Sequence, residues 1–226
     1  MRSFLLSAAA YLSLAAPAVA QTTNDEQFWL NATVMGAVGG DLVYFAEVQP
    51  RIGDGVSRLD QLLLRPAIGW RISPQVTVYQ GYAHVVSPVE GGKDRNEERS
   101  FQQISWTLPA SRRGEIQSRT RLEQRWRSDG RDVGHRLREM IRGEYAFAES
   151  GRGVRALGSA EAFVALNDTD WGARGGFDQF RTFAGVEVPL TGRSTIEAGY
   201  LNQAINQPAG RTRMNHVLSL AVFFRH

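Results

Sequence analysis

The sequence predicts an all-β fold: an antiparallel transmembrane β-barrel of about ten to twelve strands around a charged lumen. Three observations carry that expectation. In the stretch Ile116–Arg127, Gln117, Arg119, Arg121, Glu123, Arg125 and Arg127 share one parity, while Ile116, Ser118, Thr120, Leu122, Gln124 and Trp126 share the other. A period of two belongs to an extended strand with one charged face and one milder face. A second run follows the turn Ser128-Asp129-Gly130, with Arg136, Arg138, Arg142 and Glu144 on one parity and Leu137, Ile141, Tyr145 and Phe147 on the other. Finally, short turns alternate with longer polar loops, which is how outer-membrane barrels are built.

Taken in order, the predicted strands run over 27–37, 41–51, 60–71, 75–86, 97–108, 113–127, 132–148, 154–167, 177–190, 193–205 and 213–225. The breaks carry Gly, Pro, Asn or Asp, as turns require. Short ones are Val38-Gly39-Gly40, Ser73-Pro74, Pro109-Ala110-Ser111, Ser150-Gly151 and Thr191-Gly192. The longer ones span 52–59, 87–96, 167–176 and 206–212, with the Asp129-Gly130 hairpin joining them by alternation. Most of these strands exceed the ~9–11 residues that cross a bilayer. Trp70, Trp106 and Trp126 fall near strand ends, where interfacial girdles place aromatics. An odd number of segments cannot close through antiparallel pairs alone. The expected count is therefore ten or twelve, with twelve favoured and the first segment a candidate for exclusion from the wall. A soluble lipocalin-like barrel, with its apolar face inside and its arginines in solvent, is the rival architecture.

Residues 1–20 read as a cleaved export signal: Arg2, an apolar run from Phe4 to Leu14, then Ala18-Val19-Ala20 before Gln21. Residues 21–226 are then one barrel domain. The chain holds 26 Lys and Arg against 23 Asp and Glu, and Lys93 is its single lysine. A guanidinium forks planar donors toward carboxylates and phosphates and keeps its charge in confined space. Because arginine interleaves with glutamate in an exported chain, nucleic acid is not an expected partner. There is no cysteine, so export brings no disulfide.

The candidate site is a charged row lining the lumen: Arg119, Arg121, Glu123, Arg125, Arg136, Arg138, Arg142, Glu144 and Arg181. Glu161, Glu187 and Glu197 share the inward parity and could balance it. Such a row either fills a narrow lumen as a salt-bridged plug or forms a constriction that selects small anions. Hydrolase chemistry would need a serine and histidine on one strand face. His84 with Ser87 and His216 with Ser219 are each three apart, which sends them to opposite faces. Asn167-Asp168-Thr169-Asp170 reads as turn chemistry, His135 as a solvated strand start, and Gly91-Gly92 and Gly175-Gly176 as loops. No catalytic centre, metal site or cofactor is expected.

The chain resembles the bacterial outer-membrane barrel family catalogued as domain of unknown function 2490. The resemblance rests on Trp29-Leu30, Leu59-Asp60-Gln61, Arg99, Gln102-Gln103, Arg121-Leu122-Glu123-Gln124-Arg125 and Arg136-Leu137-Arg138. It continues through Phe177-Asp178-Gln179, Arg181, Gly199-Tyr200 and Asn215-His216-Val217-Leu218. It implies an outer-membrane barrel with no established activity, cofactor or partner. One departure is Arg225-His226 after the last phenylalanine, where barrels often stop on the aromatic itself. The expected location is the Gram-negative outer membrane, with membrane lipid and the barrel assembly machinery as partners. The leading functional expectation is a narrow arginine-lined pore for small anionic solutes. The alternatives are a non-conducting structural or surface-interaction barrel and, third, an outer-membrane lipid hydrolase.

Overall fold

A computed structural model describes residues 22–109, 111–150 and 153–226. The export signal expected over 1–20 lies outside these described residues. The strands are β1 (Thr22–Gly39), β2 (Leu42–Gly53), β3 (Arg58–Arg71), β4 (Val76–Ser87), β5 (Arg95–Pro109) and β6 (Gly114–Arg127). They continue with β7 (Gly134–Ala146), β8 (Arg155–Ala165), β9 (Gly176–Pro189), β10 (Thr195–Gln207) and β11 (Arg211–Arg225).

Each strand pairs antiparallel with its sequence neighbour, and β1 pairs with β11 to close the barrel. That closing pair is parallel, from Thr22 opposite Thr212 to Met35 opposite Arg225. The wall therefore has eleven strands, not the even number expected, and it is not purely antiparallel. A parallel seam hydrogen-bonds evenly with slanted geometry, so an odd count leaves no edge unpaired. The first segment, a candidate for exclusion, is a full wall strand.

Two rims result. The β1–β2, β3–β4, β5–β6, β7–β8 and β9–β10 connections and the end of β11 form one rim, the turn rim, while the β2–β3, β4–β5, β6–β7, β8–β9 and β10–β11 connections and the start of β1 form the other, the loop rim. On the turn rim Trp70, Trp106, Tyr145, Phe147 and Phe224 are exposed, and on the loop rim Trp126 and Phe177. Between the rims the outward parity carries exposed Val34, Val48, Leu64, Ile68, Ile104, Leu137, Ile141 and Leu218. The lipocalin-like alternative requires the reverse arrangement, with apolar side chains in and arginines out, and is not what this chain adopts. The outward face has one polar tract, where Gln80 and Gln124 both meet Gln102, at 2.9 and 3.1 Å. Close by, Glu139 accepts a hydrogen bond from Ser118 at 2.8 Å. Among the described residues, no helix is long and apolar enough to cross a membrane.

Candidate functional site: the barrel interior

Alternation along the strands, interrupted by register shifts in the β1–β2, β2–β3 and β8–β9 pairs, delivers one parity of side chains to the interior. The nine residues of the predicted row all face it: Arg125, Arg136, Arg138 and Arg181 line a cavity at the loop rim. Arg119, Arg121, Arg142 and Glu144 line one at the turn rim, and Glu123 lies buried between them at 1 % exposure.

Register creates an electrostatic problem at mid-barrel, because Arg121 stands directly opposite Arg138 and Arg99 opposite Arg125. Like charges in facing positions destabilise a sheet. A shared carboxylate resolves each clash. Glu97 takes Arg99 at 2.7 Å and Arg125 at 2.6 Å. Glu123 takes Arg138 at 2.7 Å and Arg136 at 2.6 Å, with Arg121 at 3.9 Å. Glu161 adds Arg138 and Arg119, both at 2.7 Å, and Glu197 takes Arg142 at 2.6 Å. Arg121 is further held by the Gln103 side-chain oxygen at 2.9 Å and by the Phe101 ring, 4.2 Å from its guanidinium carbon. Arg119 Nε and Arg121 Nη1 are buried without a hydrogen-bond acceptor.

Aromatic rings complete the packing. Phe101 and Phe163 are both 0 % exposed, and Phe163 carries Arg138 at 4.5 Å and Arg181 at 4.6 Å above its ring. The far end of the Phe101 ring occupies the space that a Cβ on Gly81 would fill. Only glycine leaves room for that approach. The interior holds a 260 Å³ cavity at the loop rim, one of 410 Å³ at the turn rim and one of 240 Å³ between them.

Two long loops border the loop-rim cavity. The Asp170 carboxylate accepts the backbone amide of Arg131 at 2.9 Å, and Asn167 accepts that of His135 at 2.7 Å. These amides hold the Asp170 carboxyl below the ordinary 3.8, with that of Arg131 contributing most and that of Asp132 next. Trp171 folds inward, its indole N–H donating to the Asp132 carbonyl at 2.8 Å, with Arg125 and Arg127 each 5.0 Å from its ring. The Asn167–Asp170 segment thus ties loop to loop.

The serine–histidine pairs stay apart. Ser219 lines the interior, whereas His216 bonds the Tyr200 hydroxyl at 2.6 Å on the outer face. Ser87 also lines the interior, and the exposed-side His84 pairs with Glu98 at 2.7 Å.

The row chosen from sequence omitted half of the interior. Glu47, Arg51, Arg65, Glu97 and Arg99 belong to it equally. Their signal was the same alternation in weaker form: Phe45, Glu47, Gln49 and Arg51 share a parity in β2, but the run includes one aromatic and one neutral amide.

The family described as protein of unknown function (DUF2490) matches residues 26–215. An uncharacterized protein of Methylorubrum extorquens is 49% identical over 222 residues, covering 98% of this chain and 97% of that one. No solved structure matches.

Proposed function

From the premise that this chain belongs to the DUF2490 family, we propose that it is a Gram-negative outer-membrane barrel closed at mid-height, non-conducting at rest. The observation that carries this reading is the buried layer of Glu123, Arg136, Arg138, Phe101 and Phe163 across the barrel. A conducting lumen keeps its constriction wet, whereas here Arg136 and Arg138 are paired with Glu123 and packed against the buried Phe163 ring. The apolar outward parity and the aromatic rims support a membrane setting.

A second reading, the narrow anion pore, draws on one specific observation. Arg65, Arg138 and Arg181 each line more than one of the interior cavities, so side-chain movement there could join them.

Planar-bilayer recording of the purified chain separates the two. Heat-modifiable, folded protein that gives no current steps across a salt gradient supports the closed barrel, and discrete anion-selective steps overturn it in favour of the pore. For the setting, density-gradient fractionation of a Gram-negative host should place the protein with outer-membrane markers. Recovery in soluble fractions would count against it.

A further inference from the structure

We propose that the loop-rim cavity is a binding site for a small phosphate-type dianion, held by Arg51 of β2 and Arg181 of β9, whose guanidinium groups both lie near the Trp29 ring. Ten arginines line this cavity and only two acids, Asp60 and Glu97. Seven of the ten have a carboxylate within 4.0 Å: Arg65, Arg99, Arg125, Arg127, Arg136, Arg138 and Arg213. Among the described residues, Arg51, Arg95 and Arg181 have none.

The missing partners are a feature of how the pairs are arranged. Arg181 stands directly opposite Glu161 across β8 and β9. Yet Glu161 turns away to Arg119 and Arg138, and Arg181 is left with the neutral oxygen of Gln179 at 3.2 Å. Arg51 likewise bonds only glutamine oxygens, Gln49 at 2.7 Å and Gln61 at 3.0 Å. Amide oxygens orient a guanidinium without cancelling its charge. Both guanidinium carbons lie near the Trp29 ring, Arg51 at 3.9 Å and Arg181 at 5.2 Å. The ring fixes them without neutralising them.

Arg51 is 8 % exposed, so it is a buried cation with no counter-ion of its own. A buried charge is tolerated when something pairs it. Two enclosed guanidinium groups without a carboxylate, with the exposed Arg95 also lining the 260 Å³ of space, call for a compact ligand carrying more than one negative charge. Planar forks match a phosphate or phosphate monoester, which can accept from two arginines at once. A monocarboxylate would leave two of the three cations unpaired. The phosphate could arrive free, as a soluble ester, or on a lipid headgroup reaching over the loop rim.

The test is calorimetric titration of the purified full chain in detergent with inorganic phosphate, with chloride as control. Arg51→Gln and Arg181→Gln are examined in parallel, and the melting temperature is recorded for each. The expected result is saturable phosphate binding, weakened about tenfold or more in each variant. The melting temperature without phosphate should be unchanged or raised, because each variant removes a positive charge that has no carboxylate partner. Arg225→Gln, at the turn rim, should bind as the parent does. Displacement of phosphate by phosphatidate-containing micelles would assign the ligand to a headgroup, and its persistence would assign it to a free solute. Absence of saturable binding, or binding unaltered in both glutamine variants, would overturn the proposal. So would phosphate acting equally on Arg225→Gln and on Arg181→Gln. Current recordings do not enter this readout, so its failure is separate from failure of the closed-barrel reading.

Discussion

Asp132 and Asp170 each accept the other's backbone amide: the Asp170 amide meets the Asp132 carboxylate at 2.7 Å, and the Asp132 amide meets the Asp170 carboxylate at 3.2 Å. This reciprocal clasp joins the β6–β7 and β8–β9 loops over the charged cavity. Because the amides depress the Asp170 carboxyl below 3.8, the clasp contributes at all pH values above 3.8. It is lost as pH falls through the lower folded value. Amide exchange at Arg131 and Asp132, taken relative to the intrinsic rate at each pH, should stay slow from neutrality to about pH 5, then quicken on acidification toward pH 3. Asp170→Asn should quicken it at neutral pH as well. Exchange that is already fast in the parent at neutrality would contradict the clasp.

Glu123 is the carboxylate on which Arg136 and Arg138 converge. Replacing it with Gln keeps the shape and removes the charge, leaving Arg138 with Glu161 alone and Arg136 with Asp178 alone. The expected loss is about 3–5 kcal/mol in unfolding free energy, the usual consequence of breaking a buried pair. Urea unfolding in detergent, followed by gel mobility, reads it. A loss under about 1 kcal/mol, the level of an exposed pair, would mean that water reaches this layer.

Gly81 supplies the space for the Phe101 ring. Gly81→Ala should destabilise the barrel by about 1–3 kcal/mol through overpacking. Adding Phe101→Leu in that background should recover part of the loss, because the smaller side chain vacates the contested volume. If the two changes are additive, the ring is not where the conflict lies.

The parallel seam can be tested with cysteines, since the chain has none of its own. Ala32 and Val222 are register partners across β1 and β11. An Ala32→Cys, Val222→Cys double variant should form an intramolecular disulfide on mild oxidation, visible as faster migration of the unfolded, non-reduced chain. Pairs displaced along the strand, such as Ala32→Cys with Leu218→Cys, should cross-link poorly, because bridged Cα atoms must lie within about 7 Å.

Alternation made most of this architecture legible from residues alone. The predicted strands overlap the observed ones in every case, and the inward parity of Arg121, Glu123, Arg136 and Arg138 follows from spacing. The closure was not legible, because nothing in the residues of β1 marks whether its partner runs with it or against it. Partner choice inside the barrel was equally hidden. Parity places Glu161 on the interior face, but only the three-dimensional arrangement of β6, β7 and β8 decides that it serves Arg119 and Arg138 and not its facing neighbour Arg181. Arg51 went unnoticed because its own strand offers glutamine where other strands offer glutamate.

An odd number of crossings also separates the first and last residues of the wall in space. Thr22 sits on the loop rim and Arg225 on the turn rim, whereas a barrel built only from complete hairpins brings both ends to a single side. With the barrel seated in the outer membrane as proposed, epitope labels placed beside these two residues should show opposite accessibility in intact cells. The molecule itself thus provides an internal compass for which way it faces.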